Sequence, residues 1–275
     1  MHSETPQINP YGAPQAPVGD YVPGNHAVLE RARSVSADHG VAWYREAWRI
    51  FKMSPGVWIG IWAAFFAIVV LISFLPIIGG LIVGVVTPLF AGGALTAARN
   101  ADREGGARFA ELFGAFSGPV GTLLLIGVLQ LVLSFIVGIV VALIGVVYLG
   151  SIFAGSPSFD RLMSPDVIVP LAVMAVVTGL IFLPITNAVW LASGLCALEG
   201  TTALDALRRA FNATFRNLLP LLVFGLVTLA LAVVALIPLG LGVLVLGPLI
   251  LCAIYAQYKD LFDATGDASP TASIP

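Results

Sequence analysis

Four stretches of this chain, 53–98, 112–159, 167–198 and 217–258, contain no Asp, Glu, Lys or Arg. Crossing the hydrocarbon of a bilayer takes about 20 apolar residues, roughly 30 Å of helix. The first and last stretches are about twice that length, so each needs a break near its middle. Composition points the same way. The chain is 59% hydrophobic and 10% charged, whereas a soluble domain carries about 25% charged residues.

The breaks are written in the sequence. "LPIIGGLIVGVVTPL" (75–89) and "IPLGLGVLVLGPL" (237–249) each set a proline and glycines inside an apolar run. Pro76 and Pro238 lack an N–H and clash with the preceding helical turn, so a helix stops there. Gly79, Gly80, Gly240 and Gly242 supply the dihedrals of a reversal. Each motif therefore predicts the tip of a helical hairpin. The two middle stretches give one span each, joined by "SPSFDRLMSPD" (156–166), which has the composition of an aqueous loop. Six spans follow, at about 56–75, 77–98, 119–146, 168–195, 218–236 and 239–258, and the third is overlong.

Lys and Arg set the orientation. Of the thirteen, only Arg161 falls on the side of the tips. Both termini are therefore expected in the cytoplasm. No apolar segment of signal-peptide type occurs in the first forty residues. Residues 1–40, rich in Pro, Gly, Gln and Ser, are expected to form a disordered cytoplasmic tail, 41–262 the six-helix domain, and 263–275 a second disordered tail. Cys196 and Cys252 lie in apolar spans and read as small packing residues.

A short amphipathic stretch precedes each pair of spans. "AWYREAWRIFK" (42–52) sets Tyr44, Ala47, Trp48 and Phe51 opposite Arg45, Arg49 and Lys52. "RFAELFGAF" (108–116) groups Phe109, Leu112, Phe113 and Phe116. "TALDALRRAFNATFR" (202–216) aligns Leu204, Leu207, Phe211 and Phe215 against Asp205, Arg208, Arg209, Asn212 and Arg216, with Thr202 and Asp205 as an opening cap pair. This spacing suits a helix lying in the headgroup plane, so Arg45, Arg49, Lys52, Arg208, Arg209 and Arg216 are the candidate lipid-surface residues. Pro88, Pro184 and Pro248 recur inside the second helix of each pair. The expected fold is thus all-α and integral to the membrane, with six transmembrane helices arranged as three units of interfacial helix plus hairpin.

The segments "VSADHGVAWYREAWRIFKMSPGVWIG" (35–60), "SFLPIIGGLIVGVVTPLFAGGALTAARNADREG" (73–105), "LEGTTALDALRRAFNATFRNLLPLLVFG" (198–225) and "PLGLGVLVLGPLILCAIYAQYKDLF" (238–262) resemble an uncharacterised bacterial family of six-span inner-membrane proteins. More distantly, the helix-plus-hairpin unit is similar to the membrane domain of some glycerophosphodiester phosphodiesterases. The resemblance implies a multi-pass protein of the bacterial inner (plasma) membrane and assigns no catalytic residue.

Charged groups inside the spans would mark a proton or ion relay, and the four stretches hold none. All three histidines precede the first span. Among the polar residues within the spans, Gln130 with Ser134, and Thr186 with Asn187 just past Pro184, stand out as a candidate ligand-binding pocket between the third and fourth spans. The competing and favoured reading is ordinary interhelical hydrogen bonding, worth about 0.6 kcal/mol per site. No metal-ligand set, phosphate loop, nucleophile elbow or paired carboxylates appear, so neither enzyme activity nor a cofactor is expected. Net charge of −2 argues against nucleic acid. The expected partners are membrane lipids and a membrane protein or a second copy of the chain. Two functions stay open: a non-enzymatic scaffold or membrane-assembly factor, and a passive permease or lipid-handling protein.

Overall fold

Over the described residues each charge-free run is mainly helix, and each proline–glycine motif holds a turn. The structure, a computed structural model, describes residues 32–76, 78–153 and 163–263. Among them the order is α1 (His39–Met53), α2 (Pro55–Ser73), α3 (Ile78–Glu104), a 3₁₀ helix (Phe109–Ser117), α4 (Val120–Phe153), α5 (Pro165–Glu199), α6 (Ala203–Arg216), α7 (Leu218–Leu236) and α8 (Val243–Phe262), with no strand. α2, α3, α4, α5, α7 and α8 are long and apolar enough to cross a membrane. The chain is an all-α, multi-pass membrane protein built of three units, each a short helix followed by a long hairpin.

The two proline–glycine turns share one close glycine contact and differ in backbone, since Gly79 and Gly80 already lie in α3. Pro76 lies in the turn between α2 and α3, and Pro238 in the turn between α7 and α8. A side chain at Gly79 would meet the Ile72 carbonyl at 2.2 Å, and one at Gly242 would meet the Ala235 Cα at 2.5 Å. Both glycines thus let the returning helix touch the residue seven positions back. The second turn is longer than the sequence predicts, because Leu239 (φ 53°) and Gly240 (φ 81°) are both left-handed. α8 starts at Val243 in consequence, rather than near residue 239.

How the units pack could not be read from their spacing. Each short helix lies on the hairpin of the unit before it: the 3₁₀ helix on α2 and α3, and α6 on α4 and α5. α1, of the first unit described, packs on α7 and α8, the hairpin of the third, which closes a ring. The second helices α3, α5 and α8 meet one another at the centre. Each first helix leans on the second helix of the preceding unit, α4 on α3, α7 on α5 and α2 on α8. The geometry is a cyclic, threefold repeat.

Close approach at the centre depends on small residues. Ala94, Ala97, Ala98 and Ala101 on α3, Ala188 and Ala192 on α5, and Ala253 and Ala256 on α8 are buried. Pro88, Pro184 and Pro248 are each buried within their helices. Cys196 and Cys252 are buried free thiols, as the sequence suggests. The buried core gathers at the end where α1, the 3₁₀ helix and α6 sit, here called the basic end. Toward the tips, large apolar side chains such as Leu71, Phe135, Leu143, Val147, Val173 and Leu229 are exposed, as lipid contact requires.

Two expectations about boundaries change. α4 and α5 run to 34 and 35 residues, longer than the predicted 119–146 and 168–195. Residues 32–38, expected in the loose tail, are pinned: the Arg33 N–H donates to the Leu261 carbonyl at 3.0 Å and Ala32 is buried. His39 and Gly40, also placed in that tail, already belong to α1, whereas residues 1–31 and 264–275, and Arg161 with most of the 156–166 loop, lie outside the described residues.

Candidate functional site at the basic end

Charged and amide side chains at the basic end join the first unit to the third. Asp102, at the end of α3, is only 10% exposed. Its Oδ2 accepts hydrogen bonds from Lys259 Nζ of α8 at 2.7 Å and from the Tyr255 hydroxyl at 3.3 Å, and Arg49 of α1 pairs with its Oδ1. Arg49 also binds Glu46 in a fork, at 2.6 and 2.9 Å, the bidentate geometry that a guanidinium makes with a carboxylate. That donation holds the Glu46 carboxyl below its usual range. Asp260 closes a second junction, its Oδ2 taking the Trp43 indole N–H at 2.8 Å and facing His39 Nδ1 at 2.7 Å.

Asn217, buried between α6 and α7, is the third. Its Nδ2 donates to the carbonyls of Arg33 (2.9 Å) and Ala213 (2.8 Å), and its Oδ1 accepts the Val35 N–H at 2.8 Å. A single amide therefore ties the strap before α1 to the third unit. None of these three junctions stood out in the sequence. Asp102, Asp260 and Asn217 each border a charged linker, where a carboxylate or amide reads as solvent-facing.

α6 is divided into three faces. Ala203, Ala206, Ala210, Ala213 and Thr214 are buried, and α6 packs on α5 and α4. Leu204 (68%) and Phe215 (55%) are exposed, with Leu207 and Phe211 between them half-buried. The third face carries Asp205, Arg208, Arg209, Asn212 and Arg216, which line a cleft of about 620 Å³. Arg209 lies 4.0 Å from Asp205 and 5.9 Å from the Phe262 ring centroid. Thr202 precedes the helix without a side-chain cap bond, so the expected cap pair does not form.

The six candidate lipid-surface residues divide between the two ends of the chain. Arg45 and Lys52 are exposed on α1, but Arg49 is held by Glu46 and Asp102. α1 itself buries Trp43, Tyr44, Ala47, Ile50 and Phe51 against α7 and α8, leaving Trp48 exposed. Tyr44 reaches Thr228 of α7 at 2.6 Å and stacks on Phe224. Its apolar face therefore touches protein, whereas that of α6 stays open.

The candidate pocket residues do not gather around one cavity. Asn187 is buried and its Nδ2 donates to Thr214 of α6 at 3.2 Å. Thr186, next to it, is exposed. Gln130 and Ser134 of α4 are half-buried, and the Gln130 Oε1 has no partner among the described residues. A groove of about 660 Å³ does run between α4 and α5, but toward the tips. Its walls are almost wholly apolar, including Val140, Ile144, Val173 and Val177. Among the described residues no cluster of His, Cys, Asp and Glu is placed to hold a metal ion.

Comparison with protein families, with curated proteins and with solved structures gives no match for this chain. The class defined by the fold is that of multi-pass α-helical membrane proteins.

Proposed function

We propose that this chain is a non-enzymatic scaffold or membrane-assembly factor of the bacterial inner membrane, with its basic end and both termini in the cytoplasm. The observation that carries the reading is the close packing of the second helices at the basic end. α3, α5 and α8 pack through alanines, and the clefts described above lie at the periphery. A device that moves solutes needs a polar path or a charged relay along its axis; a body that displays surfaces to partners does not. Kinship with the uncharacterised six-span family, and more distantly with the phosphodiesterase membrane domain, belongs to the same proposal and rests on the sequence segments quoted above.

The lipid-handling alternative draws on the apolar groove between α4 and α5. The polar pocket that the sequence suggests has less to stand on, since Thr186 is exposed and Asn187 is bonded to α6.

Two measurements test the reading. Protein reconstituted in sealed vesicles should leave them as tight to glycerol as protein-free vesicles, and purification in native-membrane nanodiscs should retain a membrane protein at fixed stoichiometry. Solute flux without such a partner would reverse it. For orientation, Met163→Cys should react with an impermeant thiol reagent added from outside, and Glu104→Cys should not. Both positions are exposed, and both native cysteines are buried.

A further inference from the structure

The arginines of the first and third units have different fates. Arg49 is neutralised within the protein by Glu46 and Asp102. Arg208 and Arg216 of α6 are exposed and make no ion pair among the described residues. With Arg209 they set three guanidiniums against the single carboxylate of Asp205 around a cleft of about 620 Å³, and Asn212 adds a neutral amide donor. Buried charge needs a partner and exposed charge needs only water, so exposure alone assigns nothing. The surroundings of the cleft do.

Arg208 stands one helical turn from Leu204 and from Phe211, and two turns from Phe215. Leu204 and Phe215 remain exposed because the alanine face, turned about a third of a circle away, is the one that packs on α5. α6 thus presents a protein-facing, an apolar and a cationic face side by side. An apolar stripe next to a guanidinium-lined concavity matches a molecule with acyl chains beside a phosphate. Guanidinium forks suit phosphate oxygens in pairs, a geometry that a lysine ammonium does not offer. Arg209, set against the Phe262 ring and beside Asp205, fixes the floor of the cleft.

We propose that the α6 cleft is a discrete binding site for the phosphate headgroup of an anionic phospholipid, with Arg208 and Arg216 as its principal ligands, Asn212 as a supporting donor, and Leu204 and Phe215 against the acyl chains. This inference is independent of the scaffold reading. It would hold for a permease equally well.

Full-length protein in a neutral detergent, titrated with dioleoylphosphatidylglycerol and followed by native mass spectrometry, should bind a first lipid saturably. Dioleoylphosphatidylcholine should bind it at least tenfold more weakly. Arg208→Gln with Arg216→Gln should weaken phosphatidylglycerol about thirtyfold, from about 1 kcal/mol per basic group near anionic lipid at 1.4 kcal/mol per decade. Arg45→Gln with Lys52→Gln, the same change of charge at exposed positions of α1, should cost less than twofold. Equal losses from the two pairs would show diffuse surface attraction and overturn the site. Glycerol phosphate that displaces the lipid at equal concentration would assign the cleft to a soluble phosphoryl compound and overturn the lipid assignment. Helical content by circular dichroism, unchanged in both double variants, ties the result to binding rather than folding.

Discussion

The basic end and the tips of this molecule are made of the same helices and obey different rules. At the basic end the second helices approach through alanines, three short helices wrap the outside, and Asp102, Asp260 and Asn217 tie unit to unit. Toward the tips the hairpins separate and expose Val, Ile, Leu and Phe. In water that would be an aggregation hazard. In hydrocarbon it costs nothing, because lipid tails are as apolar as leucine and give no force to draw helices together. The protein therefore invests its specific contacts at one end and leaves the other to the lipid.

The sharpest test of that contrast uses glycines. A side chain at Gly93 would lie 2.1 Å from the Leu112 carbonyl, whereas one at Gly138 of α4 meets nothing within 4 Å. Gly93→Val should cost about 3 kcal/mol through overpacking against backbone, seen as a large drop in unfolding temperature in detergent. Gly138→Ala should be neutral or stabilising by up to about 1 kcal/mol. Equal effects would mean that the two halves are packed alike.

Next in size is Asn217→Ala, which strands two carbonyls and one N–H of the strap and α6. Its expected cost is about 2 kcal/mol, and the strap should become open to proteolysis. Ser134→Ala, in the looser half, should stay within about 0.5 kcal/mol. If the strap stays protected in the Asn217 variant, the amide is not what holds it.

One position runs against the trend. Gln257 is 1% exposed, and neither amide atom finds a partner among the described residues. Burying an unpaired amide is unfavourable, so Gln257→Met should raise stability by about 1 kcal/mol. A loss of stability instead would reveal that the amide is satisfied in the native protein, for instance by water.

The smallest effect concerns acid. Arg49 lowers the folded-state pKa of Glu46, so the stability this pair contributes is present above the ordinary glutamate value of 4.5 and lost as pH falls through the folded value. Unfolding temperature should decline from about pH 5 toward 3, and Glu46→Gln should make that decline slightly shallower. An unchanged acid slope would remove Glu46 from the account.

Much of the fold was legible because charge and proline are loud signals in an apolar chain. The absence of Asp, Glu, Lys and Arg located the spans, and Pro76 and Pro238 located two tips. The ring was not legible. An apolar stripe such as Tyr44–Ala47–Phe51 states that something covers it, but not whether that is lipid or a helix 180 residues away. On α6 the large side chains marked the face that stays open, and the face that packs on protein went unread. The face that meets α5 is the alanine row 203, 206, 210 and 213, whose helical spacing is regular but whose hydrophobicity is modest. For the candidate pocket, adjacency misled in a similar way. Thr186 and Asn187 are neighbours in sequence, and on a helix neighbours point about 100° apart.

Ring closure also has a history in time. α1 leaves the ribosome well before the hairpin that receives it. At about 5–20 residues per second, the interval between residues 53 and 262 is roughly 10 to 40 s. Throughout it, Trp43, Ala47 and Phe51 have no protein surface to meet, and the bilayer surface is the apolar phase at hand. The pattern that reads as a lipid-surface helix then describes the nascent chain, and the buried helix describes the finished one. A chain stopped after residue 217 should accordingly leave a cysteine placed at Ala47 open to a thiol reagent, while the full chain shields it. α1 thus acts as a latch that closes only once α7 and α8 have been made.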